Sequence, residues 1–300
     1  MAGWSALPLR DRRLLEWLFM GDVVTAEMAA VMAYGHLRVA QRRLAKLAEY
    51  GLLRGFWSAN SQRPRGRYAY ALTKAARTGL AQLIWDGELS KPARVEAPSP
   101  VIHQLATHDL LVAILRAPSS RDAYLAGWAP ERAIALAFGG YLRPDALAVI
   151  GVGDRAVELF VERDLGTERG AILASKARVY SSHLSGHEVP MNVGFVVESA
   201  RRAAALAYRL RHWLTQYELP GRGKAPCWVT VAAELAADPF GEIWRAPDGR
   251  RVSARDMASF EASRELPPLG PLCLLEDHGP QALDDRLLRA VGNLGRDIWS

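Results

Sequence analysis

The chain has 300 residues, half of them hydrophobic, and 38 Lys or Arg against 32 Asp or Glu give a net charge of +6. That length suggests about two domains, and the hydrophobic half supplies material for a sizeable core. No apolar run reaches the roughly 18 residues of a membrane span, and Arg10 to Arg13 interrupt any signal-like segment, so a cytoplasmic protein with no membrane partner is expected.

The first informative stretch runs from Thr25 to Thr73. Thr25 can cap a short support helix, Ala26 to Met32, with Glu27 in the first turn where the helix dipole favours an anion. After a turn at Ala33-Tyr34-Gly35, Leu37, Ala40, Leu44 and Leu47 recur at spacings of three and four and give a second helix one apolar face. Its other face carries His36, Arg38, Gln41, Arg42, Arg43 and Lys46. Gly51 ends that helix, a strand begins at Leu52 and Leu53, Ser58 to Arg67 form a polar hairpin tip, and Tyr68 to Leu72 alternate as the returning strand. The order is that of a winged helix-turn-helix, predicted over residues 1–90.

Charge points to the partner. From Arg38 to Arg77 there are ten Lys or Arg against one acid, Glu49. Residues 1–94 carry +8 and the remainder −2, so the positive excess belongs to one domain. Such a face suits double-stranded DNA, where neutralising phosphates releases counterions. Arg42, Arg38 and His36 are the candidates for base edges, because an arginine fork meets guanine O6 and N7 together. Gln41 lies on the same face, and Arg43, Lys46, Arg63, Arg65 and Arg67 are candidates for phosphates, which set register without reading sequence. The alternative is a solvated basic surface on a protein-binding module.

Residues 91–100, KPARVEAPSP, have three prolines and mark a linker. A helix is expected from about Ile102 to Leu115, then a strand or short helix near Trp128 to Ala137. Leu147 to Ile150 and Val157 to Val161 read as a hairpin about the turn Gly151 to Asp154. A helix follows at about Arg169 to Leu184, a buried strand at Val193 to Val197, and a long helix from about Ser199 to Tyr217. Strands alternating with helices imply a mixed α/β domain over residues 101–220. Residues 221–300 read as a C-terminal extension with a strand at Trp228 to Ala232 and a β-hairpin in GEIWRAPDGRRV.

The acids of the second domain fall at strand ends. Asp145 precedes one strand, Glu162 and Asp164 close the next, and alternation puts the latter two on one side. Lys176 on the following helix can turn back toward them, and Glu131 lies upstream. This constellation resembles the PD-(D/E)xK nuclease core, a restriction-endonuclease-like fold. The resemblance implies catalytic roles for Asp145, Glu162, Asp164 and Lys176, with Mg²⁺ held by Asp145 and Glu162 if the domain is active. Where that motif has acid-x-Lys, this chain has Glu162-Arg163-Asp164, so Lys176 would be a displaced substitute. The bland alternative pairs Glu162 and Asp164 with Arg143, Arg163 or Arg169 and leaves Lys176 in solvent.

Other motifs carry less. His103 and His108, with Asp109, suit a structural role or a polar pair near the carboxylates; Gly186 separates His183 from His187; Gly221 to Lys224 lack the context of a phosphate loop. Cys227 and Cys273 stand far apart without zinc-ligand spacing.

Two blocks are similar to the replication-relaxation family of plasmids and mobile elements: RRLAKLAEYGLL (Arg42 to Leu53), YALT (Tyr70 to Thr73) and THDL (Thr107 to Leu110), then RPDA (Arg143 to Ala146) and VERDLGTE with Lys176 and Tyr180. The resemblance, over about residues 10–220, singles out Asp145, Glu162, Asp164, Thr167, Glu168 and Lys176. It implies a role in plasmid replication, DNA relaxation or conjugative transfer, with a relaxase or replication protein as a partner. A transcription repressor whose second domain dimerises or senses a ligand, and an active metal-dependent endonuclease, are the alternative functions; a homodimer on two half-sites is the expected assembly.

Overall fold

A computed structural model describes residues 6–58, 66–85, 98–117, 123–137, 143–153, 155–166, 172–173, 175–177, 179–180, 192–216, 227–257 and 260–261. The chain divides into two compact units, which meet in sequence between Leu115 and Arg116.

The first unit opens with α1 (Leu9–Gly21), whose Leu14, Leu15, Leu18 and Phe19 recur at helical spacing and are buried. Strand β1 (Val23–Thr25) follows, and the Thr25 hydroxyl accepts from the Met28 amide at 3.3 Å to start α2 (Ala26–Ala29). The helix does not stop at Met32 as the spacing suggests. It widens into a π-turn, Ala30–Tyr34, that buries Met32 and Tyr34 and ends at Gly35, whose φ of +75° suits a residue without a side chain. The turn before the next helix is therefore shorter than predicted.

Helix α3 (Leu37–Glu49) buries Ala40, Leu44 and Leu47, whereas Leu37 at its start, which the spacing places on the same apolar face, is 42% exposed. Gly51, at φ +69°, terminates it. Strands β2 (Leu53–Trp57) and β3 (Tyr68–Leu72) pair antiparallel, and β1 joins β3 in the order β1-β3-β2. The Ser58 amide donates to the Arg67 carbonyl and the Arg67 amide to the Ser58 hydroxyl, closing the hairpin around its tip. Helix α4 (Lys74–Trp85) completes this succession.

Helix α5 (Pro98–Arg116) also belongs to the first unit, almost to its end, although the sequence reading begins a second domain at residue 101. Its polar side chains explain this. Gln104 donates to Asp22, the buried His108 ring donates from Nδ1 to the Val23 carbonyl at 3.1 Å and lies edge-on to Trp17, and Asp109 receives Arg67. His108 is thus packed within the first unit, against Val23 and Trp17. Burial pushes its ring pKa down to about 4.

The second unit is mixed α/β. Its sheet runs β10-β9-β8-β7-β6-β5-β4, with β11 (Phe260–Glu261) on the early part of β6. Strands β4 (Tyr124–Pro130), β5 (Ala146–Val152) and β6 (Arg155–Asp164) are antiparallel, with a bulge in β4 between Leu125 and Gly127. Strands β6, β7 (Asn192–Val197) and β8 (Cys227–Val231) are parallel. Helical residues at 172–180 lie between β6 and β7, and α7 (Ala200–Gln216) joins β7 to β8. The hairpin β9 (Trp244–Arg245) with β10 (Arg251–Val252) forms where GEIWRAPDGRRV predicts one. Short helices α6 (Glu131–Ala137), α8 (Ala232–Ala237) and α9 (Ala254–Met257) follow β4, β8 and β10. Among the described residues no helix is long and apolar enough to cross a membrane.

The core centres on β5, β6 and β7, whose apolar positions are almost all buried. Gly194 in β7 is required by packing: a Cβ there would lie 2.7 Å from the Trp244 ring, which is itself fully buried and cannot move away. Gly194→Ala is therefore expected to cost about 1–3 kcal/mol by overpacking, read as a lower urea midpoint at unchanged slope.

Candidate functional site

In the first unit the side chains of His36, Arg38, Gln41, Arg42 and Lys46 are exposed on α3, and among the described residues no carboxylate pairs with them. Lys46 lies 5.5 Å from the centre of the Tyr50 ring. The face follows from helix geometry, since Ala40, Leu44 and Leu47 turn inward and the polar positions between them turn out.

Arg43 differs from its neighbours. Its Nε donates to Asp11 Oδ1 at 3.2 Å, its Nη2 bonds the other Asp11 oxygen, and the Tyr34 hydroxyl donates to Oδ1 at 2.9 Å. Asp11 is 1% exposed, so Arg43 neutralises a buried acid and ties α3 to α1 and the π-turn. Arg67 is similarly engaged: its Nη1 reaches both oxygens of Asp109 at 2.9 and 2.7 Å, and its Nη2 reaches the Thr25 hydroxyl at 3.3 Å. Arg77, one of the ten bases in the cationic run, is buried against the Phe19 carbonyl and Asp22. Arg63 and Arg65 lie outside the described residues.

The second unit gathers acids at the end of β6. Asp145 lies just before β5; its amide donates to Val161, its carbonyl accepts from Glu131, and its Oδ2 accepts from the Arg163 amide at 2.6 Å. Glu162 is 2% exposed, accepts from Lys176 Nζ at 2.8 Å and from the Tyr180 hydroxyl, and so binds the helical segment to the sheet. Asp164 points to the same face. It accepts from the Gly166 amide at 2.8 Å and from Arg202 Nε of α7 at 2.7 Å. Arg163, on the reverse face, donates to the carbonyls of Asp164 and Val196 and pairs with Glu198.

The structure therefore brings Asp145, Glu162 and Lys176 together, with Asp164 nearby but held by a different helix. Burial, and after it Asp145, raise the Glu162 carboxyl while Lys176 and Tyr180 lower it, and the balance leaves it up at about 7. The Tyr180 hydroxyl is raised by burial and by Glu162. Tyr180 and Arg202 complete the cluster. Tyr180 was legible as Lys176 plus four on one helical face; Arg202 comes from a segment with no local signal, and the same holds for Asp11 beside Arg43. Thr167, Glu168, Arg169, His183 and His187 lie outside the described residues.

As a cation site this donor set does not fit. Both Glu162 oxygens and both Asp164 oxygens already accept hydrogen bonds, and no group of three His, Cys, Asp or Glu among the described residues could hold a metal ion. A metal between Asp145 and Glu162 would compete with Lys176 and Tyr180 for the Glu162 oxygens.

Glu158, two strand repeats before Glu162 on the same face of β6, is pushed up to about 7 by burial alone. A carboxyl raised in the folded state favours its protonated form, so its contribution is fully present below the ordinary value of 4.5 and is lost as pH rises through 7. Glu158→Gln should flatten the fall in stability across that interval by about 3 kcal/mol relative to the parent, measured by urea unfolding at a series of pH values.

No curated protein and no solved structure matches the chain. The family model described as Replication-relaxation matches residues 15–197, from the middle of α1 through the end of β7, and so takes in both the exposed face of α3 and the carboxylate cluster. The chain belongs to the replication-relaxation family.

Proposed function

We propose that this protein binds double-stranded DNA through α3, in the replication, relaxation or conjugative transfer of a plasmid or mobile element. The observation that carries the reading is the exposed row Arg38, Gln41, Arg42 and Lys46, cationic and free of paired carboxylates among the described residues. The element order helix, strand, helix, helix, hairpin supports treating the unit as a winged helix-turn-helix with α3 in the major groove. In that arrangement His36, Arg38 and Arg42 reach base edges, and Lys46 holds a phosphate. Arg43 acts indirectly, by fixing the angle of α3 through Asp11. A homodimer, and a relaxase or replication protein as partner, belong to the same reading.

The second unit serves as a nuclease-like body whose carboxylates are engaged by its own Lys176, Tyr180 and Arg202. An active metal-dependent endonuclease is the alternative reading, and it needs Glu162 to exchange its contacts with Lys176 and Tyr180 for a metal.

Two measurements test these. Arg38→Ala with Arg42→Ala is expected to weaken duplex binding by about tenfold or more and to relax base preference, whereas Lys46→Ala should lower the slope of log affinity against log salt by about one. Unchanged affinity would remove α3 from the interface. Supercoiled plasmid incubated with Mg²⁺, Mn²⁺ or EDTA should stay supercoiled; metal-dependent nicking that Asp145→Ala abolishes would establish the endonuclease instead.

A further inference from the structure

The hairpin β2–β3 carries aromatic side chains that the packing of the unit does not bury. Trp57 is 68% exposed and Tyr68, directly opposite it in register, is 44% exposed. Strand alternation puts Trp57, Tyr68 and Tyr70 on one face of the hairpin. Their rings form a ladder of edge-to-face contacts, with centroids 5.4 Å apart between Trp57 and Tyr68 and 5.3 Å between Tyr68 and Tyr70. Gly55 makes room for it: a Cβ there would fall 2.2 Å from the Tyr68 hydroxyl, so the Tyr68 ring lies across β2. The rings are thus held in place by one another while the Trp57 indole keeps much of its surface in solvent.

The charge around the ladder selects its partner. Between Glu49 and Asp86 the sequence has six Lys or Arg and no acid; Arg67 and Arg77 are neutralised by Asp109 and Asp22, which leaves four to face a ligand. Arg54, exposed on the reverse face of the hairpin, lies 5.4 Å from the Phe56 ring centre. Exposed π-surface on a hairpin whose own residues include basic side chains and no acid matches a polyanion that also offers flat rings. Bases inside a duplex are already stacked on each other and present only edges in the grooves, so a ring face can stack only on a base that has left its pair.

We infer that the Trp57–Tyr68–Tyr70 ladder is a stacking platform for unpaired DNA bases, so that the first unit binds a junction between duplex and single strand more tightly than a continuous duplex. This rests on the reading of α3 as the duplex-binding element and adds a second, chemically different contact to it.

The test uses the full chain and fluorescence anisotropy with two labelled DNAs: a blunt duplex and the same duplex bearing a tail of about ten thymidines, a length within the range of single-strand sites. The parent should favour the tailed DNA. Trp57→Ala should lose about tenfold on the tailed DNA and nothing on the blunt one, and Trp57→Phe should recover most of the loss, with thermal unfolding confirming that both variants are folded. Equal loss on both DNAs, no loss on either, or a change from dimer to monomer in sedimentation would overturn the proposal, the last by assigning the ladder to a second copy of the chain. The Arg38→Ala, Arg42→Ala protein in the same assay separates the two ideas: unchanged binding to the blunt duplex defeats the α3 reading, whereas the tail preference depends on Trp57 alone.

Discussion

Three consecutive charged residues, Glu162, Arg163 and Asp164, are buried at the end of the central strand, and the second unit is organised around compensating them. An uncompensated buried charge costs several kcal/mol, comparable with the whole stability of a domain. Lys176 and Tyr180 answer Glu162 from the helical segment that precedes β7, Arg202 answers Asp164 from the helix that follows it, and Glu198 with two backbone carbonyls answers Arg163. Each compensation comes from a different stretch of chain. The polar network therefore specifies how the elements around β6 and β7 are docked, a specificity that apolar packing alone supplies less sharply.

The same economy governs the first unit. Asp11 and Asp22 are both buried, and each draws a guanidinium inward, Arg43 and Arg77 respectively. Asp22 also holds a left-handed backbone conformation, at φ +61°, that a non-glycine residue adopts only under such restraint. A count of basic residues along the chain overstates the charge offered to a ligand, because part of it balances acids that lie inside. What remains on α3 is a narrower and more directional row than the sequence suggests.

The elements legible beforehand were those whose signal is local. Thr25 as a cap, Ala40, Leu44 and Leu47 as a buried stripe, Gly51 as a terminator and the hairpin strands on either side of residue 153 all follow from periodicity and turn chemistry. The π-turn at Ala30–Tyr34 was not legible, because it depends on Tyr34 reaching Asp11, 23 residues away. The prolines before α5 point to a boundary, whereas Gln104, His108 and Asp109 find their partners upstream in the first unit, which no local signal shows. In the cluster, strand alternation correctly grouped Glu162 with Asp164, while the identity of their counter-ions depended on which helix folds over which residue.

Both ends of the large sheet are blunted. At one end β10 offers only two residues of ladder; at the other, β4 carries a bulge and finishes on Pro130, which has no amide hydrogen to donate. Among the described residues, an incoming strand would find only a short ladder on β10 and an interrupted one on β4. Strand addition at these two edges is thereby disfavoured as a route to filaments.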